Sequence, residues 1–129
     1  MPYCVVDDTR LYYTEWGAGE PLLLIHGLGS SSRDWAAQAG HFANHYRVLR
    51  GDLRGHGRSE RGNGPCSIAQ FARDVAVFLR KRDAVPAHVV GLSMGGMVAF
   101  ELAASAPTST QPRRRKQCPN MRLHTWRDV

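Results

Sequence analysis

The stretch Ala87-His88-Val89-Val90-Gly91-Leu92-Ser93-Met94-Gly95-Gly96-Met97 decides the fold. Its first four residues make a mostly apolar run, too short for a helix, that reads as a buried strand. Met97 to Ala104 is apolar except for Glu101 and reads as a helix buried on most faces, with Met94 and Met97 as core packing. Between strand and helix stands G-x-S-x-G, Gly91 to Gly95. A strand that turns this sharply into a helix strains the serine backbone and crowds its neighbours, which demands glycine at Gly91 and Gly95. The Ser93 hydroxyl then stands exposed at the end of the strand. The helix opening at Met94 aims free amides and the positive end of its dipole toward it.

Upstream, Leu22, Leu23, Leu24 and Ile25 follow Pro21 as another buried strand, stopped by His26-Gly27-Leu28-Gly29. Ser31 and Asp34 have capping-box spacing, and Trp35, Ala36, Ala39, Phe42 and Ala43 recur at helical intervals. Tyr46 to Leu49 is a third strand, ending in the glycine-rich loop Gly51-Asp52-Leu53-Arg54-Gly55-His56-Gly57-Arg58-Ser59. Ser67 and Gln70 make a second capping box before Ile68, Phe71, Ala72, Val75, Phe78 and Leu79, the clearest helical stripe in the chain. Arg80, Lys81 and Arg82 suit its negative end. Near the start, Val5-Val6 and Leu11-Tyr12-Tyr13 flank Asp7-Asp8-Thr9 as a hairpin. Strands alternating with helices predict an α/β fold with a mostly parallel sheet, helices on both faces and ligands bound at the carboxyl ends of the strands. The glycine-rich loops all fall at those ends.

The 129 residues are 43% hydrophobic and 22% charged, an ordinary globular composition with room for one domain, which excludes disordered, collagen-like and coiled-coil classes. No apolar run approaches the roughly 18 residues of a membrane span, and Met1 to Arg10 has no basic start, so a cytoplasmic protein with no membrane partner is expected. Cys4, Cys66 and Cys118 lack disulfide or zinc spacing and read as free thiols. The net charge of +6 is uneven: residues 1–107 hold 11 basic and 10 acidic side chains, and 108–129 hold 6 and 1. A balanced domain over 1–107 and a basic, disordered tail over 108–129 are expected, because the tail's five apolar residues show no period. A basic contact surface could lie only at Arg113-Arg114-Arg115-Lys116, and no nucleic-acid partner is expected.

His26-Gly27-Leu28-Gly29, directly after a buried strand, is a loop whose glycines let a backbone amide turn inward. With Asp52 to Ser59 and Gly91 to Gly96, it completes three motifs at three strand ends. In this order and context the chain resembles the N-terminal part of the α/β-hydrolase fold family, in its serine-nucleophile esterase, lactonase and carbon–carbon hydrolase branch. The resemblance covers residues 3 to 107. It implies Ser93 as nucleophile, with the Leu28 and Met94 amides as oxyanion hole and His26, Gly27, Gly29, Gly91 and Gly95 in support. It also implies small ester or lactone substrates and no cofactor or metal.

In the same family the loop carrying Asp52, Arg54, His56 and Ser59 braces the site. His41 and His45, an i, i+4 pair without the needed acid, read as surface residues. The triad acid and base should follow Ser93 in the order acid then histidine. Glu101 lies about two turns into the helix, and Asp128 comes after His124, so neither fits. A truncation or frameshift after Ala106-Pro107 is therefore expected, leaving the Ala87 to Val90 strand as an exposed edge and the chain inactive alone.

Overall fold

Leu22 and Leu24 point to one face of their strand and Leu23 and Ile25 to the other, and all four are buried. That strand must be covered on both sides, and the rest of the molecule is arranged to do so. A computed structural model describes residues 2–105 together with 121–123. Its strands are β1 (Tyr3–Val6), β2 (Thr9–Trp16), β3 (Glu20–Ile25), β4 (Tyr46–Gly51), β5 (Ala87–Gly91) and β6 (Met121–Leu123). They form one sheet in the order β1-β2-β4-β3-β5-β6. β1, β2 and β4 pair antiparallel in turn, and β4, β3, β5 and β6 run parallel.

Helices α2 (Ile68–Lys81) and α3 (Met94–Ser105) cover one face, where Phe71, Val75, Phe78, Val98 and Leu102 meet Leu23, Ile25, Leu49 and Val89. The opposite face is covered by α1 (Ala36–Phe42) and the 3₁₀ turn before it (Ser32–Trp35), whose Trp35 and Ala39 pack on Leu22, Leu24, Val48 and Val90. Among the described residues no helix is long and apolar enough to cross a membrane.

The predicted α/β sheet with its N-terminal hairpin is observed. Four local expectations are corrected. The helix after β3 opens as a 3₁₀ turn. Ser31 caps it by accepting from the Arg33 amide at 3.3 Å, while Asp34 turns to the Ser30 hydroxyl instead of closing the box. Ser67 caps α2 through the Gln70 amide at 3.1 Å, but the Gln70 side chain donates to Asp74 at 2.9 Å. That is half a capping box, because a buried carboxylate one turn on is the stronger acceptor.

Nor is α3 buried on most faces: Met97 is 62% and Phe100 76% exposed, so Met97 is not core packing. The helix touches the sheet and α2 with its Met94, Val98, Ala99 and Leu102 side, and Met97 and Phe100 lie exposed on the other. Finally, the strand at Ala87 to Val90 is not left as a bare edge, because Met121–Leu123 pairs parallel with Ala87–Val89. Strand addition is driven by the unpaired main-chain groups of β5, which ask for no side-chain period. The rest of the predicted tail, and Cys118 with it, lies outside the described residues.

One buried ion cluster ties the hairpin to the loop after β4 and to α2. Arg54, 1% exposed, donates from Nε to Asp74 at 2.8 Å and from a terminal nitrogen to Asp8 at 2.9 Å. The Asn63 amide, then the Arg54 guanidinium, hold the Asp8 carboxyl at a pKa of about 2. Removing the arginine leaves Asp74, which is fully buried, with an uncompensated charge. Arg54→Met should therefore cost about 3–5 kcal/mol in urea denaturation. Arg10→Ala, which breaks the exposed Arg10–Glu60 pair, should cost less than about 1 kcal/mol.

Candidate active site

β5 ends at Gly91 and α3 opens at Met94, so Leu92 and Ser93 make the whole turn. The Leu92 amide donates to Ile25 O at 3.0 Å, carrying the β3–β5 ladder one residue past the strand. The Gly95 amide donates to Leu92 O at 2.8 Å and the Gly96 amide to Ser93 O at 2.9 Å, closing the first helical turn. These bonds hold Ser93 at φ +52°, in the left-handed region, with its side chain exposed. A Cβ on Gly91 would lie 2.2 Å from Gly95 O, and one on Gly95 would lie 2.3 Å from Ile25 O. Both neighbours are backbone and cannot yield, so the spacing of G-x-S-x-G follows from contact distances.

The loop after β3 lies against this turn: a Cβ on Gly27 would stand 3.6 Å from Ser93 Cβ and 3.4 Å from Leu92 O. His26 sets the loop's path. Its side chain is fully buried, and the Leu53 amide donates to Nε2 at 2.9 Å. Nε2 is thus the acceptor nitrogen, and the proton sits on Nδ1, which donates to Gly27 O at 2.7 Å. Burial pushes the His26 pKa down, keeping the ring neutral as this double role requires. Gly29, at φ +70°, reverses the chain, and Leu28 is exposed beside it. Among the described residues, neither the Leu28 nor the Met94 amide donates to a main-chain carbonyl.

The loop after β4 braces these two. Asp52, 3% exposed, accepts the Ser32 amide at 2.7 Å and the Arg58 amide at 2.9 Å. Ser59 Oγ takes the Tyr12 amide at 2.8 Å and donates to Asp52 O. The His56 ring lies 5.1 Å from that of His26 and bonds Arg54 O through Nδ1. His41 and His45 are exposed, as expected. Glu101 lines the cleft between α2 and α3 with Arg73 and Arg80, away from the serine turn. His124, Asp128 and Arg113 to Lys116 lie outside the described residues. Among those described, no three His, Cys, Asp or Glu side chains converge to hold a metal ion. The Arg54–Asp74–Asp8 cluster escaped the sequence reading, although Asp74, set inside the apolar stripe of α2, carried a signal for a buried partner.

A mostly parallel sheet with a glycine-packed serine turn at one strand end and a glycine loop against it defines an α/β class in which ligands bind at the carboxyl ends of the strands. The chain belongs to the α/β-hydrolase fold family, whose model matches residues 20–111. It is 42% identical over 107 residues to a protein of Azorhizobium caulinodans provisionally named carbamate hydrolase RutD, covering 83% of this chain and 40% of that one. Among solved structures it resembles the enol-lactonase of Burkholderia xenovorans (38% identity, TM-score 0.76, 81% of this chain and 42% of the other). A thermophilic esterase of Thermogutta terrifontis is similar at 29% identity and TM-score 0.77, over 81% and 41% of the two chains. This chain thus spans about two fifths of the length of the relatives it matches.

Two outcomes follow from the geometry. A left-handed serine costs about 1–2 kcal/mol that glycine does not pay, so Ser93→Gly should raise stability by up to about 1 kcal/mol in chemical denaturation. Because the folded pKa of His26 lies below the ordinary 6.5, the unfolded chain binds this proton more readily. The stability this provides is fully present above about pH 6.5 and is lost as pH falls from there toward the lowered value. Unfolding free energies measured between about pH 5 and 8 should slope downward on acidification, and His26→Gln should remove that part of the slope.

Proposed function

We propose that this chain carries the nucleophile half of a serine hydrolase acting on small carboxylic esters, lactones or related carbonyl compounds. The observation that carries the reading is the exposed Ser93 at φ +52° next to Gly27, with Leu28 and Met94 amides that donate to no main-chain carbonyl among the described residues. Ser93 Oγ attacks the carbonyl carbon, the alcohol or ring oxygen leaves with a proton, and the acyl group stays on Oγ until water displaces it. The Leu28 and Met94 amides receive the negative charge that builds on the carbonyl oxygen. His26, Gly27, Gly29, Gly91 and Gly95 position these groups. His26 transfers no proton in this scheme, since both its nitrogens are engaged. The chemistry as written draws on no cofactor, and the names of the lactonase and esterase neighbours support the substrate class.

A second reading has an observation of its own. Among the described residues no acid and no imidazole is placed to activate the serine, and a serine hydroxyl is a weak nucleophile without a base. On this reading the chain turns over only when a complementing C-terminal segment supplies both. A fluorophosphonate probe followed by intact mass separates the two. Labelling of the chain alone supports the first, and labelling only after addition of the C-terminal three fifths of a relative supports the second. Ser93→Ala should abolish the label in either case and lower complemented turnover by about a millionfold. A folded chain that stays unlabelled both ways overturns the assignment of Ser93.

A further inference from the structure

Four of the described arginines end on carboxylates. Arg10 meets Glu60, Arg47 and Arg82 meet Glu15, and Arg54 meets Asp8 and Asp74. Three others line one open cleft of about 450 Å³, outside the Ser93 turn, at the carboxyl end of β4. They are Arg33, Arg50 and Arg58, joined there by Tyr12, Thr14 and Ser31. Among the described residues none of the three pairs with an acid. Asp34, next to Arg33 in sequence, is turned to the Ser30 hydroxyl. The one carboxylate in the cleft wall, Asp52, is 3% exposed, and its two oxygens are taken by the Ser32 and Arg58 amides.

Two of the guanidinium groups are also held in place before any ligand arrives. Arg50 donates from Nε to Thr14 Oγ1 at 3.0 Å and from a terminal nitrogen to Ser32 O at 3.0 Å. Arg58 lies over the Tyr12 ring, 5.1 Å from its centre, and reaches the Tyr12 hydroxyl at 3.3 Å. Cationic forks positioned by neutral partners keep their charge uncompensated and lose little freedom on binding. Three like charges around one concave surface repel one another, and a multiply charged oxyanion relieves that repulsion while matching the planar donor geometry.

From this arrangement we infer that the Arg33–Arg50–Arg58 cleft is an anion site for a small molecule bearing a phosphate or a pair of carboxylates. It is separate from the Ser93 chemistry and stands whether or not that serine is acylated. The shared chemistry is a compact group of two or more negative charges.

Inorganic phosphate, titrated into the full chain at constant ionic strength balanced with chloride and followed by nuclear magnetic resonance, tests it. Saturable millimolar binding is expected, with shifts at the Arg33, Arg50 and Arg58 side-chain N–H groups. Exposed Arg33 and Arg58 can be changed without disturbing the core, so Arg33→Gln/Arg58→Gln should weaken binding at least about tenfold while the rest of the spectrum is unchanged. Arg73→Gln, whose side chain meets Gln70 outside the cleft, should bind as the parent does. A parallel titration with succinate distinguishes the two sources: preference for one anion over the other names the ligand class, and either preference supports the site. Raising sodium chloride from about 0.05 to 0.5 M should weaken binding, as screening of exposed charge requires. Absence of saturation with both anions, or equal affinity in the double variant, overturns the proposal.

Discussion

The close approach of two backbones at the ends of β3 and β5 is the constraint on which the rest of the site depends. Gly95 lies so near Ile25 O and His26 O that a single methyl group there would overlap both, at 2.3 and 2.6 Å. The Leu92–Ile25 hydrogen bond locks this approach from the side. Because the two strand ends are this close, the loop leaving β3 has no choice but to run past Ser93. That contact, between Gly27 and Ser93, brings two separate glycine motifs together at neighbouring strand ends. Helix–sheet packing elsewhere is tolerant, since one apolar side chain can replace another of similar volume. Here the spacing is set by main-chain atoms, which no change of rotamer relieves.

Around that contact the molecule uses buried polar groups as fasteners. His26, Asp52 and Arg54 are each nearly inaccessible, and each joins segments distant in sequence: Leu53 to Gly27, Ser32 to Arg58, Asp8 to Asp74. Loops carry no ladder of their own, so their paths are set by such side-chain to backbone bonds. The cost of burying these groups is offset only while every partner is present, which makes the three loops cooperative rather than independently mobile. The left-handed Ser93 persists for the same reason, its strain being over-determined by its neighbours.

Much of this was legible from residue order. The stripe from Ile68 to Leu79 is the helix it reads as, and the run from Leu22 to Ile25 is a central strand covered on both sides. Where local rules failed, a tertiary partner had intervened. Gln70 has the position of a capping residue, yet its amide goes to Asp74, whose charge is buried by packing that a local window does not contain. Met97 and Phe100 look like core in the chain and are exposed in the fold, because hydrophobicity says that a residue can be buried and not that a neighbour arrives to bury it. β6 was missed for the opposite reason: its pairing is bought by backbone groups on β5, to which the side-chain pattern of Met121–Leu123 is indifferent.

By itself, then, the sequence determined the main strands and helices from the hairpin to α3, their alternation and the glycine spacing around Ser93, since these rest on local periodicity and on the steric demand of one tight turn. Tertiary structure alone decided which nitrogen of His26 bears the proton, which carboxylates Arg54 meets, which side of α3 stays open and that Arg33, Arg50 and Arg58 share one cleft. Each of these depends on distances between segments up to about fifty residues apart, such as Asp8 and Arg54. Such distances come from how the sheet is ordered, and no short-range pattern in the chain records them.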